Sequence, residues 1–317
     1  MSLVVCHQYD DRLASSLAEG LPGDVSLVPL GTTPETAWAI PDSAEVLLIN
    51  QNSAAIGLHK AMPAPTGWPF SLKWVHLRST GIDKYPDWIF EVPTVTVNRG
   101  GYAVPISEYV LAAMLGFAKH MPAIWAVDRT GWRNHQLSDL SGHTLGIVGF
   151  GEIGKAIAQR ALAFDMTVVG TRRSPGSLGF DGVASLPLEA LLQAADHVVL
   201  SAPLTTETRG MIDAAALNLM KPGAHLINVG RGALLDTEAL RAALDTHLGG
   251  ATLDVTDPEP LPDGHWLFTH PKVRISPHIS GSSQLSRLRA NAYFRDNLER
   301  YYNGVKLQGE VDRDLGY

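Results

Sequence analysis

The chain has 317 residues, of which 45% are apolar and 18% charged, and a formal net charge of −7. That length exceeds what one hydrophobic core usually serves and predicts two domains, and the acidic balance argues against nucleic acid or an anionic membrane as a partner. The single cysteine, Cys6, excludes an internal disulfide and a cysteine metal cluster; with a start that lacks the features of a signal peptide, it sets the expectation of a cytoplasmic protein.

In chain order, short apolar runs come first: LVVCHQY at 3–9, VSLVPL at 25–30, AEVLLIN at 44–50, KWVHLRS at 73–79 and PTVTVNR at 93–99. Runs without polar alternation suit strands covered on both faces of a parallel sheet, with helical patterns expected between them. Residues 102–143 read as mostly helical, with a break at Pro122 and a polar loop carrying Trp125 and Trp132. The longest apolar run, 109–118, is far short of the ~20 residues of a membrane span and is read as a buried helix. A second series follows: TLGIVGF, MTVVGT, HVVLSA, AHLINVG, GATLDV and VRISPH. A C-terminal helical pattern is closed by Gly304, with a polar tail after it. Two α/β units are therefore expected, one after the other.

The second unit opens with GIVGFGEIGKAIAQRALAFDMTVVGTRRS at 146–174, in which Gly149, Gly151 and Gly154 stand in GxGxxG spacing between a strand and a helix. In a Rossmann dinucleotide unit the first glycine makes the tight turn, the second lets backbone approach a pyrophosphate and the third packs helix on strand. The helix N-terminus then faces the phosphates. An NAD-specific unit usually follows with an acid for the ribose hydroxyls; here Arg172, 18 residues past the last glycine, stands among Thr171, Arg173 and Ser174. Guanidinium and hydroxyl groups suit a ribose 2′-phosphate, so NADP is the expected cofactor, with NAD as the alternative.

Three downstream segments each place a polar group after an apolar strand: Arg231 in NVGRGALLD, Glu259 in DVTDPEP and His278 in SPHISGSS. Reduction of a 2-oxo acid needs a proton at the carbonyl oxygen as hydride reaches the carbon, and histidine, titrating near pH ~6.5, is the usual carrier. A carboxylate such as Glu259 stabilises an imidazolium and fixes its tautomer, and the fork of Arg231 suits a substrate carboxylate. The remaining histidines carry no assignable role, and no spaced metal-ligand set is present.

Together with STGID at 79–83, GFGEIG and PLTTETRGMI at 203–212, these segments resemble the D-isomer-specific 2-hydroxyacid dehydrogenase family, in its order and over nearly the whole chain. The resemblance implies Arg231, Glu259 and His278 as catalytic trio, with Arg231 and His278 also touching substrate. It implies substrate carboxylate on the backbone N–H groups of Ser79, Thr80 and Gly81. Cofactor contacts would come from Gly149, Gly151, Glu152, Ile153, Gly154, Thr171, Arg172, Arg173, Ser201, Pro203, Thr208, Val229, Gly230, Asp254 and Gly281. Asp254, with the Val229 backbone, would meet the nicotinamide carboxamide, or else cap its strand end.

The implied fold is α/β, two Rossmann-like parallel-sheet domains with the cofactor domain, 101–284, inserted into a discontinuous substrate domain, 1–100 with 285–317, and the active site between them. The family also implies a homodimer through residues 102–140. The expected activity is NADPH-dependent reduction of a small 2-oxo acid, glyoxylate or hydroxypyruvate, to the D-2-hydroxy acid. Alternatives are a reductase of bulkier 2-oxo acids and a nucleotide-sensing corepressor-type interaction protein on the same fold.

Overall fold

The structure is a computed structural model that describes residues 3–9, 11–19, 21, 24–49, 56–174, 176–313 and 315. The chain forms two compact units, Met1–Tyr102 with Ser283–Tyr317, and Ala103–Ser282.

The first unit is built on β1 (Leu3–His7), α1 (Asp11–Ala18), β2 (Val25–Pro29), β3 (Ala44–Ile49), β4 (Trp74–Leu77) and β5 (Thr94–Val97). All five strands are parallel, in the order β2-β1-β3-β4-β5. Among the described residues no α-helix connects β2 to β5; the one helical piece there is a short 3-10 turn, Asp87–Glu91. Prolines 34, 41, 63, 65, 69, 86 and 93 interrupt those stretches, and each removes a backbone donor and blocks an α-helical turn. A tryptophan cluster covers that sheet face instead: Trp68 stands edge-on to Trp88 at 4.5 Å, Trp38 edge-on to Trp88 at 5.2 Å, and the indole N–H of Trp68 donates to the Trp88 carbonyl.

The second unit runs α2 (Ala103–Ala118), β6 (Thr144–Val148), α3 (Glu152–Leu162), β7 (Thr167–Thr171), β8 (Val183–Ser185), α4 (Leu188–Ala194), β9 (His197–Leu200), α5 (Ala214–Asn218), β10 (His225–Asn228), α6 (Thr237–Thr246), β11 (Gly250–Leu253) and β12 (Val273–Ile275). Its seven parallel strands take the order β12-β11-β10-β9-β6-β7-β8. The chain winds outward from β6 through β7 to β8, then returns to β9 on the other side of β6. Direction therefore reverses between β6 and β9, the place where open α/β sheets bind ligands at their carboxyl edge. The short β8, three residues with two exposed, has too few apolar positions to be read from sequence.

The last helix, α7 (Gln284–Tyr302), returns to the first unit and begins with a capping box made by Ser283 and Ser286. Its Phe294 stacks on Trp74 at 5.2 Å. The tail beyond it is more ordered than its polarity suggested. The Val97 amide donates to the Gly309 carbonyl and the Val311 amide to the Val95 carbonyl, so the tail shields the otherwise open edge of β5. No helix among the described residues is long and apolar enough to cross a membrane.

Candidate active site

The cofactor half of the candidate site is the turn from β6 into α3. Gly149 has φ +97°, and a Cβ there would stand 2.5 Å from the Ala202 Cα. Only glycine fits. A Cβ on Gly154 would lie 2.8 Å from the Gly149 carbonyl oxygen, so this residue sets the close approach of α3 to the turn. Around the Cβ direction of Gly151, by contrast, nothing lies within 4 Å. Gly151 caps α3 without a side-chain bond, and the amides of Glu152, Ile153 and Gly154 donate to no acceptor among the described residues. Open donors at a helix N-terminus, beside space a side chain could have filled, are what a pyrophosphate needs.

The Thr171 carbonyl accepts from both Gly149 N and Phe150 N and ties the end of β7 to this turn. Arg172, exposed, follows directly; its Nε donates to the Ser174 carbonyl and its Nη2 to the Ser177 carbonyl at 2.8 Å. Arg173 pairs with Glu207 at 3.4 Å, and no carboxylate occupies positions 171–174. Across the switch point the Ser201 hydroxyl donates to the Gly149 carbonyl, and Thr208 braces its loop by donating to the Pro203 carbonyl.

The chemical half gathers at the carboxyl ends of β10, β11 and β12. Beyond β10, Asn228 is fully buried, accepts from Gly230 N and donates to the Arg231 carbonyl, which clamps the turn carrying Val229 and Arg231. Arg231 Nη1 donates back to the Gly230 carbonyl. A Cβ on Gly232 would run into the Thr256 backbone, so glycine lets this turn pack against the loop that bears Glu259.

His278 lies in the left-handed region, φ +53°, an arrangement that costs a non-glycine residue about 1–3 kcal/mol. Asp254 holds it there. Its carboxylate, 1% exposed, accepts from Ile279 N, Ser280 N and the Ser276 hydroxyl, and the Tyr109 hydroxyl reaches that same serine at 2.7 Å. Burial raises the Tyr109 hydroxyl above the usual tyrosine range. The side-chain contacts Asp254 makes are thus with the histidine turn, and Gly281 follows within the same turn. So placed, His278 Nδ1 lies 2.7 Å from Glu259 Oε1, with the imidazole 40% exposed. The glutamate binds one ring nitrogen and so fixes the tautomer. Asn228, Ser276 and Tyr109 went unread in the sequence. The signal that could have found Asn228 is a polar residue closing an apolar strand.

In the first unit, Ser79, Thr80 and Gly81 form the turn after β4. Among the described residues their three backbone amides have no acceptor. The side chains fix the turn, Ser79 donating to the Gly81 carbonyl and Thr80 to the Asn98 carbonyl.

A sequence model described as the NAD-binding domain of D-isomer specific 2-hydroxyacid dehydrogenases matches residues 111–280, more than half of the chain. The chain belongs to the D-isomer specific 2-hydroxyacid dehydrogenase family. It is thereby a member of the nicotinamide-dependent oxidoreductases. It is 32% identical to the glycerate dehydrogenase of Methylorubrum extorquens over 294 residues, 88% of this chain and 89% of that one. It is 42% identical to the glyoxylate reductase of Thermococcus onnurineus over 180 residues, 56% of this chain and 54% of that one. Against the D-3-phosphoglycerate dehydrogenase of Bacillus subtilis, 33% identical over 253 residues, 76% of this chain, the match spans about half, 47%, of the relative's length. Among solved structures, a D-isomer specific 2-hydroxyacid dehydrogenase of Xanthobacter autotrophicus Py2 in complex with NADPH and MES matches over all of both chains with TM-score 0.81 and 27% identity.

Proposed function

We propose that the protein reduces a small 2-oxo acid to the D-2-hydroxy acid with NADPH, glyoxylate and hydroxypyruvate being the first substrates to try. The observation that carries this reading is the His278–Glu259 pair, held at 2.7 Å on a strained backbone at the carboxyl edge of a nicotinamide-binding sheet. A bound reduced nicotinamide supplies the hydride. His278 Nε2 gives the proton to the carbonyl oxygen while Glu259 keeps Nδ1 protonated and stabilises the charged ring between turnovers. Arg231 is the proposed donor to the substrate carboxylate, and the open amides of Ser79, Thr80 and Gly81 are proposed substrate-binding groups of the first unit. An oriented acid pair favours an enzyme over an interaction protein, which needs no proton donor. Relatives named glyoxylate reductase and glycerate dehydrogenase support the substrate size.

The preference for NADPH rests on Arg172. Two of its five N–H donors go to the Ser174 and Ser177 carbonyls, which fixes the guanidinium and leaves the others for a 2′-phosphate. A second copy of this chain is the proposed partner for residues 102–140, in which Trp125, Val127 and Trp132 are 64%, 94% and 85% exposed.

The test is kcat/KM for both substrates with both cofactors, in the native enzyme and in Arg172→Asp. We expect NADPH to be favoured by roughly 10²-fold, as two charge-assisted hydrogen bonds allow, with the preference reversed in the variant. Equal use of NADH by the native enzyme would make Arg172 ordinary surface charge. Absence of turnover with either 2-oxo acid would remove the substrate assignment.

A further inference from the structure

The first unit buries a charge that the reaction above does not use. Arg78 is the residue after β4, immediately before the turn of Ser79, Thr80 and Gly81, and it is 5% exposed. The partners its side chain has among the described residues are both on Tyr9: the guanidinium carbon lies 5.0 Å from the ring centroid, and the group donates to the tyrosine hydroxyl. Neither neutralises it. Its Nε is buried with no acceptor, and among the described residues it forms no ion pair. The other basic side chains on its sheet face offer no compensation: His76 is buried and pushed down to about 3 by burial and then by Arg78 itself, and His7, also buried, is lowered by burial.

Asn98 completes the pattern. The register pairs Leu77 with Val97, so Arg78 and Asn98 are the next lateral positions on β4 and β5. Trp74, His76 and Thr96 share one face through their mutual hydrogen bonds, and alternation puts Arg78 and Asn98 on that face too. Both amide atoms of Asn98 are buried and unpartnered. An unpaired buried guanidinium is costly, and a chain normally neutralises it or supplies an acceptor. Here the two unsatisfied side chains adjoin three open backbone amides at the carboxyl edge of a parallel sheet, where ligands bind.

We propose that Arg78 is a specificity residue that receives a second anionic group on the substrate, so that the preferred 2-oxo acid is a dianion. The inference rests on the 2-oxo acid reading above and extends it. The reading above assigns the carboxylate common to all 2-oxo acids to donors other than Arg78. Arg78 serves a group that only some of them carry, a carboxylate or a phosphate at the far end of the molecule. A planar fork takes either in two parallel bonds.

The experiment compares native enzyme with Arg78→Met and Arg78→Lys, using NADPH and glyoxylate, hydroxypyruvate, oxaloacetate, 2-oxoglutarate and 3-phosphohydroxypyruvate, together with calorimetric titration by succinate, a dianion with no oxo group. We expect at least one dianionic substrate to exceed hydroxypyruvate in kcat/KM by tenfold or more. Arg78→Met should lose roughly 10- to 100-fold more on that substrate than on glyoxylate, mainly through KM, and Arg78→Lys should fall between. Which dianion leads separates carboxylate from phosphate. Equal losses on all substrates, or no preference for a dianion in the native enzyme, would overturn the proposal and leave Arg78 as a prop for Tyr9. If no 2-oxo acid is reduced at all, succinate decides: binding that Arg78→Met abolishes keeps the anion subsite while the reductase reading fails, and no binding by the native protein removes the subsite as well.

Discussion

The two edges of the seven-stranded sheet both carry histidine, to opposite ends. At the carboxyl edge His278 is 40% exposed, strained into the left-handed region and paired with Glu259. At the amino edge His197 and His225, the first residues of β9 and β10, are 2% and 1% exposed. The His225 ring stacks on Phe117 at 4.3 Å and bonds Thr252, and His197 meets His143 at 3.5 Å. Burial pushes His197 down to about 4 and His225 to about 3, the neighbouring histidines adding to it. Asp196, bonded to Lys221 and Thr144 N, is the acid beside them. One edge holds a histidine open to solvent and paired with a carboxylate; the other keeps neutral rings as struts. Residue type does not separate them, but solvent access does.

The strongest way to break this comparison is to exchange the consequences. His278→Ala should lose roughly 10²- to 10⁴-fold in turnover with little change in Tm, and Glu259→Gln should lose part of that factor. His225→Ala should instead cost about 2–4 kcal/mol of stability, by emptying space against Phe117 and stranding Thr252, with turnover of the folded fraction kept. Steady-state kinetics and thermal unfolding on the three variants decide. A normally active His278→Ala, or an inactive but fully stable His225→Ala, would erase the distinction.

A second effect concerns acid. The folded state keeps His197 and His225 neutral, whereas the unfolded chain takes up protons near pH ~6.5. Stability is therefore unaffected by them above that pH and falls as pH drops from about 6.5 toward 4, by about 3 kcal/mol for each ring. Replacing both with Gln should flatten this part of the pH–stability curve measured by chemical denaturation. A slope identical to that of the native protein would show that acid sensitivity arises elsewhere.

The smallest expected effect sharpens the picture of the open edge. Because nothing stands within 4 Å of the Cβ direction of Gly151, Gly151→Ala should leave Tm nearly unchanged yet weaken NADPH binding roughly tenfold by entering the pyrophosphate's space. Unchanged binding in a fluorescence titration would mean that the phosphates lie elsewhere.

The signals legible in the sequence were local ones. Five apolar runs and then six more marked eleven of the twelve strands, because a strand buried on both faces writes its burial into consecutive residues. The glycine spacing, the arginine after β7 and the polar groups closing β10, β11 and β12 were equally readable, since a strand end is where a parallel sheet presents side chains to a ligand. What only the tertiary structure decided depended on partners distant along the chain. Asp254 proved to hold the turn of His278, a choice made by amides 25 and 26 residues away. The helices expected between β2 and β5 gave way to a tryptophan cluster assembled from residues 38, 68 and 88. Two of the histidines that sequence left without a role, His197 and His225, became sealed struts, and Arg78 became a buried charge, because burial is fixed by what packs against a residue. Residue type and spacing do not contain that information.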